Sequence, residues 1–292
     1  MKTKLAIEWF LNPDHLPFIV AMREGMYAKK DIELEIIEPT EHYDGLEELR
    51  KGNITFATNE PLHLIEQFDE EFLTMGTYFE TKGGVLLKKS SYNKLKNGES
   101  ITVTCPVSNE KTDTIAFEII SRFYAKEGVS ITKEQVHFAS NGFAHLKHMK
   151  EGADAAWLYF YNFEGVEAIH EGMEVIYLDA HNVGFANFSA LDIFTNKSWY
   201  KDNTQAAHAF VDATKEAIAW MAKNPSQAMA HYYDYSKAEK NALMDDILKA
   251  TLECFHGDFK SIASDQKPIL EFFTEIGITK LPYDDFKKAF LA

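Results

Sequence analysis

Residues 5–30, LAIEWFLNPDHLPFIVAMREGMYAKK, hold the pattern that decides the fold class. The apolar run LAIEWF predicts a short strand, and the Asn-Pro-Asp sequence at 12–14 ends it. Apolar residues then recur at helical spacing between 18 and 26. A strand, a loop and a helix in this order are the first unit of an α/β protein.

The same alternation continues beyond this stretch. It predicts strands at 32–39, 54–60 and 72–80 and helices at 44–52 and 61–68. Strands that alternate with helices favour a parallel sheet. The next segment, 81–100, is rich in Gly, Lys and Ser, and we expect it to connect one lobe to another.

A second α/β lobe follows from residue 101, and the pattern is almost wholly helical after 198. We therefore predict an α/β, two-lobed fold with two crossings between the lobes, and with its C-terminal helices packed on lobe one. The predicted boundaries are 1–88 plus 190–292 for lobe one and 95–183 for lobe two. The two hinge crossings are expected near 84–94 and 184–190.

Composition and charge exclude several classes of protein. The 292 residues carry a formal charge of −15, which disfavours nucleic acid as a partner, because such binding needs a concentrated positive surface. Cys105 and Cys254 are far apart and predict neither a zinc site nor a disulfide scaffold; both are expected to be buried.

The N-terminus does not have the pattern of a signal peptide, and no segment predicts membrane insertion. A cytoplasmic location is expected as written, and a periplasmic or lipoprotein-anchored one if a leader was removed.

Ligands of parallel α/β sheets bind outside the carboxyl ends of the strands. The loops expected there are 9–15, 38–43, 58–63, 76–80, 106–114, 139–143, 158–163 and 184–189. They are rich in aromatic and polar side chains, which suit a flat heterocycle better than an inorganic ion. The candidate ligand-binding residues are Trp9, Asn12, His15, Asn59, His63, Tyr78, Phe79, Glu80, Thr112, Tyr159, Tyr161, Asn162, Asn187 and Phe188. Any single aromatic among them is better explained by a place in the core, and it is the clustering at the strand ends that favours a site.

Two histidines could take part in acid–base chemistry, since His15 and His63 each stand at the start of a predicted helix. Capping of their own helices is the alternative. Thr112, in the first turn of another helix, could bind an anionic group, but a simple N-capping role is the alternative there. His145 and His148 have a spacing that permits metal binding, yet nothing completes a ligand set, and we interpret them as a solvated helix face. No metal site is predicted.

The stretch from Trp9 to Pro39, followed by GLEELRKGNITFATNEPLHL, resembles the thiamine-pyrimidine synthase-like branch of the periplasmic-binding fold. That branch contains hydroxymethylpyrimidine-phosphate synthases and solute-binding proteins for pyrimidine precursors and sulfonates. The resemblance rests on Trp9 after the first strand, His15 with Pro17, and Gly25-Met26-Tyr27. It covers the first lobe well and the remainder by the order of elements. It implies the periplasmic-binding type II fold and a ligand pocket lined by the tryptophan region.

Two departures from the synthases bear on chemistry. The synthases hold pyridoxal phosphate on a lysine four residues before a reactive histidine; His63 matches the histidine, but Asn59 stands at the lysine position. They also have a cysteine-rich loop where this chain reads GFANFS at 184–189. An asparagine forms no Schiff base, and this loop offers iron no thiolate. Neither cofactor is therefore expected.

Three hypotheses follow for function. The first is a solute-binding or sensing protein that closes on a small, thiamine-pyrimidine-like ligand between its lobes, with an ABC transporter as partner if it is exported. The second is a cytoplasmic enzyme of thiamine-precursor or related heterocycle metabolism that uses His63 or His15. The third is an interaction protein with a vestigial cleft. The sequence favours the first.

Overall fold

The computed structural model of the chain describes residues 1–39, 44–259 and 262–291. The first part of the chain contains β1 (Lys2–Ala6), α1 (Leu16–Arg23), β2 (Glu33–Ile37), α2 (Gly45–Arg50), β3 (Phe56–Asn59), α3 (Pro61–Glu66) and β4 (Phe72–Glu80). The middle part contains β5 (Gly84–Lys88), α4 (Tyr92–Lys96), β6 (Ile101–Cys105), α5 (Glu110–Ala125), β7 (Val136–Ser140), α6 (His145–Glu151), β8 (Ala155–Ala156), α7 (Val166–His170) and β9 (Val175–Asp179). The last part contains β10 (Ala190–Asn196), α8 (Lys197–Lys223), α9 (Pro225–Ser236), α10 (Ala242–Leu252), α11 (Ala263–Glu275) and α12 (Tyr283–Phe286).

These elements form two compact units. Unit 1 comprises Met1–Glu80, Ala190–Leu270 and Thr279–Ala292, and unit 2 comprises Thr81–Ser189 and Glu271–Ile278. Residues 81–88, which the sequence placed in lobe one, group with unit 2 because β5 pairs with β8 and β9. Residues 271–278 also group with unit 2, where the ring of Phe272 stacks on Phe185 at 3.6 Å between centroids.

Unit 1 is built on a five-stranded sheet in the order β2-β1-β3-β10-β4. Strand β1 runs parallel to β2 and β3, while β10 runs antiparallel to both of its neighbours. The sheet is thus mixed and not parallel as expected. The reason is that residues 185–194 bring the chain back to unit 1, where part of this segment enters β10 between β3 and β4.

Unit 2 repeats this plan with a five-stranded sheet in the order β7-β6-β8-β5-β9. Here β6 is parallel to β7 and β8, and β5 is antiparallel to β8 and β9. The expectation that 81–100 is only a connection was wrong, since this segment supplies β5 and the short helix α4. Gly84–Leu87 of β5 are buried. The burial of apolar side chains therefore favours a strand here, in spite of the Gly and Lys residues around it.

Stacked aromatic rings hold the helices of unit 1 against its sheet. The ring of Phe210, on α8, lies 4.1 Å from that of Phe56 on β3 and 5.3 Å from that of Tyr27. Phe18, on α1, lies 6.1 Å from Phe210 and is fully buried. This packing fixes α1, and with it the loop that precedes α1, relative to the strand ends.

Two further expectations have an outcome in the fold. None of the helices within 1–39, 44–259 and 262–291 is long and apolar enough to cross a membrane. Both cysteines carry free thiols, but only Cys105 is buried as expected, while Cys254 is partly exposed.

Candidate functional site

The loop between β1 and α1 is held by a reciprocal cap. The Asn12 side-chain oxygen accepts the Asp14 amide at 2.8 Å, and Nδ1 of His15 accepts the Asn12 amide at 3.2 Å. All three residues are buried, and Pro13 begins the short 3-10 turn that the cap closes. Local sequence therefore sets the position of His15, whose ring completes the cap of this turn and does not cap α1 itself.

His15 forms a buried pair with Glu8, which follows β1. Its Nε2 atom lies 3.0 Å from Oε1 and 3.2 Å from Oε2 of Glu8. Burial alone would lower the pKa of His15, but the Glu8 carboxylate, which accepts the Nε2 proton, raises it. The Thr58 hydroxyl, at the end of β3, also donates to Glu8.

Glu8 is a carboxylate at neutral pH although its side chain is only 6% exposed. Burial alone would raise its pKa, but His15 and the Thr58 hydroxyl outweigh burial and lower it. Glu8 is not among the site residues predicted from the sequence. An acidic residue between a buried strand and Trp9 was the signal that could have found it.

His63, in the first turn of α3, lies between two carboxylates. Its Nε2 is 3.3 Å from Oε2 of Glu60, and its Nδ1 is 3.2 Å from Oε2 of Glu66. Burial alone would lower the pKa of His63, but the two carboxylates raise it to about 10. At neutral pH the imidazole is therefore protonated, and it has no lone pair with which to act as a general base.

Strand β4 places two candidate residues on opposite faces of the sheet. The Phe79 ring is fully buried and packs on Phe255 at 5.7 Å between centroids, so it belongs to the core. The Tyr78 ring is also fully buried and lies 5.0 Å from that of Phe18. Both faces are covered here, which is why the alternation along β4 does not separate buried from exposed residues.

The Tyr78 hydroxyl faces polar groups at the strand ends. It makes no hydrogen bond of standard geometry within the described part of the chain, although the Thr58 hydroxyl is nearby. Burial raises the pKa of Tyr78 well above its usual value, and the charges of Glu8 and Asp14 raise it further. The phenol is thus a neutral donor next to carboxylates.

Three other candidates of unit 1 differ in exposure. Trp9 is half-buried, and its ring lies 4.5 Å from that of the exposed Phe10. Asn59 is half-buried, and its side-chain oxygen accepts the Glu60 amide at 3.0 Å. Glu80 is exposed, and its Oε2 atom lies 3.5 Å from Nε2 of His256.

We name the groups that meet at the carboxyl ends of β1, β3 and β4 the acid–imidazole cluster, and they are Glu8, His15, Thr58, Glu60, His63 and Tyr78. Parallel pairing of Leu5 with Phe56 and of Ala6 with Ala57 puts the ends of β1 and β3 at the same edge. Trp9 and Asn59 adjoin this cluster in sequence. Within the predicted loop 38–43, residues 40–43 lie outside the described residues.

In unit 2, His145 is fully buried and not part of a solvated helix face as the sequence suggested. Its Nδ1 lies 2.9 Å from Oε1 of Glu164, and its Nε2 lies 3.1 Å from the Trp157 carbonyl oxygen. His148 instead bonds the Asn141 carbonyl at 2.9 Å. Among the residues that the structure describes, no group of three or more His, Cys, Asp and Glu side chains could hold a metal ion.

The aromatic candidates of unit 2 belong largely to its core. Tyr159 is buried, and its ring lies 6.5 Å from that of Tyr177. Phe188 is 3% exposed and packs on Trp157 at 5.8 Å. Tyr161 is half-buried, with the ammonium of Lys82 4.8 Å from its ring centroid.

The polar candidates of unit 2 bond to nearby backbone. The Asn187 amide donates to the Thr81 carbonyl, and its oxygen accepts the Ser189 amide at 3.1 Å. Asn162 is buried, and its backbone amide donates to the Thr81 hydroxyl at 3.3 Å. Thr112 completes the cap of α5, since its hydroxyl accepts the Asn109 amide at 3.3 Å. The capping alternative thus accounts for Thr112.

Comparison with known proteins agrees with this architecture. The family model described as NMT1/THI5 like matches residues 12–228. The chain is 22% identical to the formylaminopyrimidine-binding protein of Halalkalibacterium halodurans, over 77% of this chain and 68% of that protein. It is 20% identical to the 4-amino-5-hydroxymethyl-2-methylpyrimidine phosphate synthase of Uromyces fabae, over 95% of this chain and 83% of that protein.

Solved structures show which fold the chain has. The periplasmic aliphatic sulphonate binding protein of Escherichia coli aligns with 100% of this chain and 92% of its own length, with a TM-score of 0.69 and 12% identity. The chain therefore has the periplasmic-binding type II fold that the sequence predicted. Since the family model also covers more than half of its residues, the chain belongs to the NMT1/THI5-like family.

Proposed function

We propose that the chain binds a small nitrogen heterocycle resembling the thiamine pyrimidine, and that it delivers or senses this ligand without transforming it. The observation that carries the proposal is the acid–imidazole cluster, in which Glu8 directly precedes the half-buried Trp9 in the sequence. An indole face can stack on a flat ring, while a buried carboxylate can accept hydrogen bonds from ring or exocyclic N–H groups. The formylaminopyrimidine-binding relative supports this ligand class.

The state of His63 speaks against the enzyme alternative. An acid–base role at neutral pH requires a group that exchanges a proton there, whereas Glu60 and Glu66 raise the pKa of His63 to about 10. His15 is likewise engaged at both nitrogens, by the Asn12 amide and by Glu8. Both histidines therefore serve as fixed parts of the site.

The residues present do not fit the cofactors of the related synthases. The amide of Asn59 cannot form a Schiff base with pyridoxal phosphate, and its oxygen is already bonded to the Glu60 amide. In the segment 184–189, Phe188 is core and Asn187 bonds backbone, and no thiolate is available for iron. A protein that binds its ligand without transforming it needs neither cofactor, which accounts for Asn59 and for the segment 184–189 without cysteine.

The partner that suits this function is an ABC transporter, if the protein acts outside the cytoplasm. The fold is that of periplasmic receptors such as the sulphonate-binding protein of Escherichia coli. A sensing role inside the cell would use the same site. Ligand binding is therefore the first property to measure, because it is common to both settings.

Calorimetry with 4-amino-5-hydroxymethyl-2-methylpyrimidine and its formylamino analogue tests the proposal. We expect saturable binding and a rise in melting temperature, because a ligand bound only by the native state stabilises it by about 2.7 kcal/mol at 100 times its Kd. Trp9→Ala should weaken binding at least about tenfold, since stacked aromatic area is lost. Trp220→Ala, on α8 and next to His231, is the control and should leave affinity unchanged. Absence of binding to any pyrimidine by the folded wild-type protein would overturn the proposal.

A further inference from the structure

The charge around the acid–imidazole cluster is negative. The loops 7–15 and 58–63 contain the carboxyl groups of Glu8, Asp14 and Glu60 but neither Lys nor Arg. Of their two imidazoles, His15 pairs with Glu8, and His63 lies between Glu60 and Glu66. Even with both imidazoles charged, the four carboxylates of Glu8, Asp14, Glu60 and Glu66 outnumber them, so the net charge of the cluster stays negative.

A second observation points to a ligand at this cluster. Tyr78 is fully buried, and its hydroxyl lies near Glu8, Asp14 and Glu60 without a hydrogen bond of standard geometry to any described residue. The Thr58 hydroxyl interacts with it but forms no well-aligned bond. A poorly bonded buried hydroxyl is costly, so a group that accepts or supplies a hydrogen bond here would stabilise the site.

Taken by itself, unit 2 offers no anion site at the first turn of α5. The Asn109 side-chain oxygen accepts the amides of Lys111 and Thr112 at 3.0 and 3.1 Å, so these amides are not available to a phosphate. Glu110 and Asp113 add two carboxylates to the same turn. Helix N-termini that bind phosphate keep their amides free and carry no such charge.

We propose that Glu8, hydrogen-bonded by His15 and Thr58, is the specificity-determining residue that selects an uncharged or cationic amino-heterocycle and rejects the phosphate ester of the same compound. The proposal rests on the proposed function and adds the charge of the ligand to it. A carboxylate accepts hydrogen bonds from an exocyclic amine or a protonated ring nitrogen. A phosphate monoester carries a charge of about −1.5 to −2 at pH 7 and is repelled by a carboxylate shielded from water.

Calorimetric titration at pH 7.5 with 4-amino-5-hydroxymethyl-2-methylpyrimidine and with its phosphate tests this. For the wild-type protein we expect the phosphate to bind at least about tenfold more weakly, which corresponds to about 1.4 kcal/mol. Glu8→Gln should weaken the unphosphorylated ligand and bring the ratio of the two dissociation constants close to one. Glu8→Asp keeps the charge and should keep the ratio above ten. Glu24→Gln, which breaks a Glu–His pair with His231 outside the cluster, is the matched control and should change neither constant.

The outcomes separate the two proposals. If the wild-type protein binds both compounds equally, or if Glu8→Gln leaves the ratio unchanged, the charge selection is wrong and the proposed function stands. If the folded wild-type protein binds neither compound nor any related pyrimidine, the proposed function itself is wrong. Circular dichroism confirms folding of each variant, and should Glu8→Gln fail to fold, equal binding of the two compounds by the wild-type protein still overturns the charge selection.

Discussion

The imidazole of His15 and the carboxylate of Glu8 form a pair with an Nε2 to Oε1 distance of 3.0 Å, and neither side chain is more than 6% exposed. Sequence places them on opposite sides of the loop after β1, seven residues apart. The pair thus joins the end of a strand to the start of α1, and its integrity should affect both stability and binding.

Breaking this pair should destabilise the protein strongly. His15→Ala leaves Glu8 as a buried charge without its partner, and we expect the free energy of unfolding to fall by about 3–5 kcal/mol. Urea denaturation measures this free energy of unfolding. The control is His231→Ala, which removes the partner of Glu24 from a pair about a third exposed, and should cost less than about 1 kcal/mol. Equal losses for the two variants would contradict the role of burial.

Acid should destabilise the fold through Glu8. Its pKa is lowered in the folded protein from the ordinary value of 4.5, so its ionisation stabilises the fold above pH 4.5. That contribution is lost as the pH falls through the folded pKa. Denaturation measured from pH 6 to pH 3 should therefore show a smaller loss of stability for Glu8→Gln than for the wild-type protein. Parallel curves for the two proteins would argue against an ionised Glu8.

A rise in pH should destabilise the fold through His63. Its pKa is raised from 6.5 to about 10 in the folded protein, so its contribution is complete below pH 6.5 and is lost as the pH rises to about 10. NMR titration of the imidazole protons should show no deprotonation at pH 8. Substitution of both Glu60 and Glu66 by Gln should return the midpoint toward 6.5, whereas Glu47→Gln, on α2, should not change it. A midpoint near 6.5 in the wild-type protein would restore His63 as an acid–base candidate.

The two thiols should differ in reactivity. Burial, together with the charge of Asp113, raises the pKa of Cys105 to about 11, so little thiolate forms at pH 8. Cys254 is partly exposed. Ellman's reagent should therefore modify Cys254 faster than Cys105 in the native protein, and both at similar rates in urea. The variant Cys254→Ser isolates the slow thiol, and rapid native labelling of that variant would contradict the burial of Cys105.

Removal of the ring of Phe210 should cost more stability than that of any exposed aromatic. It stacks on Phe56, Tyr27 and Phe18, so Phe210→Ala is expected to lower the free energy of unfolding by about 3–5 kcal/mol. Phe10 is 46% exposed, and Phe10→Ala should change it by less than about 0.5 kcal/mol. Chemical denaturation distinguishes the two, and a small loss for Phe210→Ala would mean that the core refills the cavity.

Periodicity in the sequence sufficed to predict the α/β class and most strands, because buried strands and helices differ in the spacing of apolar residues. It did not reveal that β5 and β10 run antiparallel to their neighbours, since strand direction in a sheet depends on tertiary pairing. Composition even misled for 81–100, where a buried strand lies among Gly and Lys residues.

Site residues were predictable where a local motif defines them and not where partners meet through the fold. The turn at Asn12 to His15 follows from a capping pattern. By contrast, the contact of Glu8 with Thr58 joins residues 50 positions apart, and its effect on charge depends on burial. His145 looked like a surface residue because its carboxylate partner, Glu164, lies on a different element.

The position of β10 in the first sheet affects the order in which the chain can fold during synthesis. All five strands of the second sheet have been synthesised once Asp179 has been added, whereas the first sheet has a gap between β3 and β4 until Ala190–Asn196 has been made and has emerged. The N-terminal strands must therefore wait, with the pairing edges of β3 and β4 open, while the middle of the chain is made. Nascent chains arrested near residue 185 should bind chaperones through the N-terminal half, which is synthesised first but completed last.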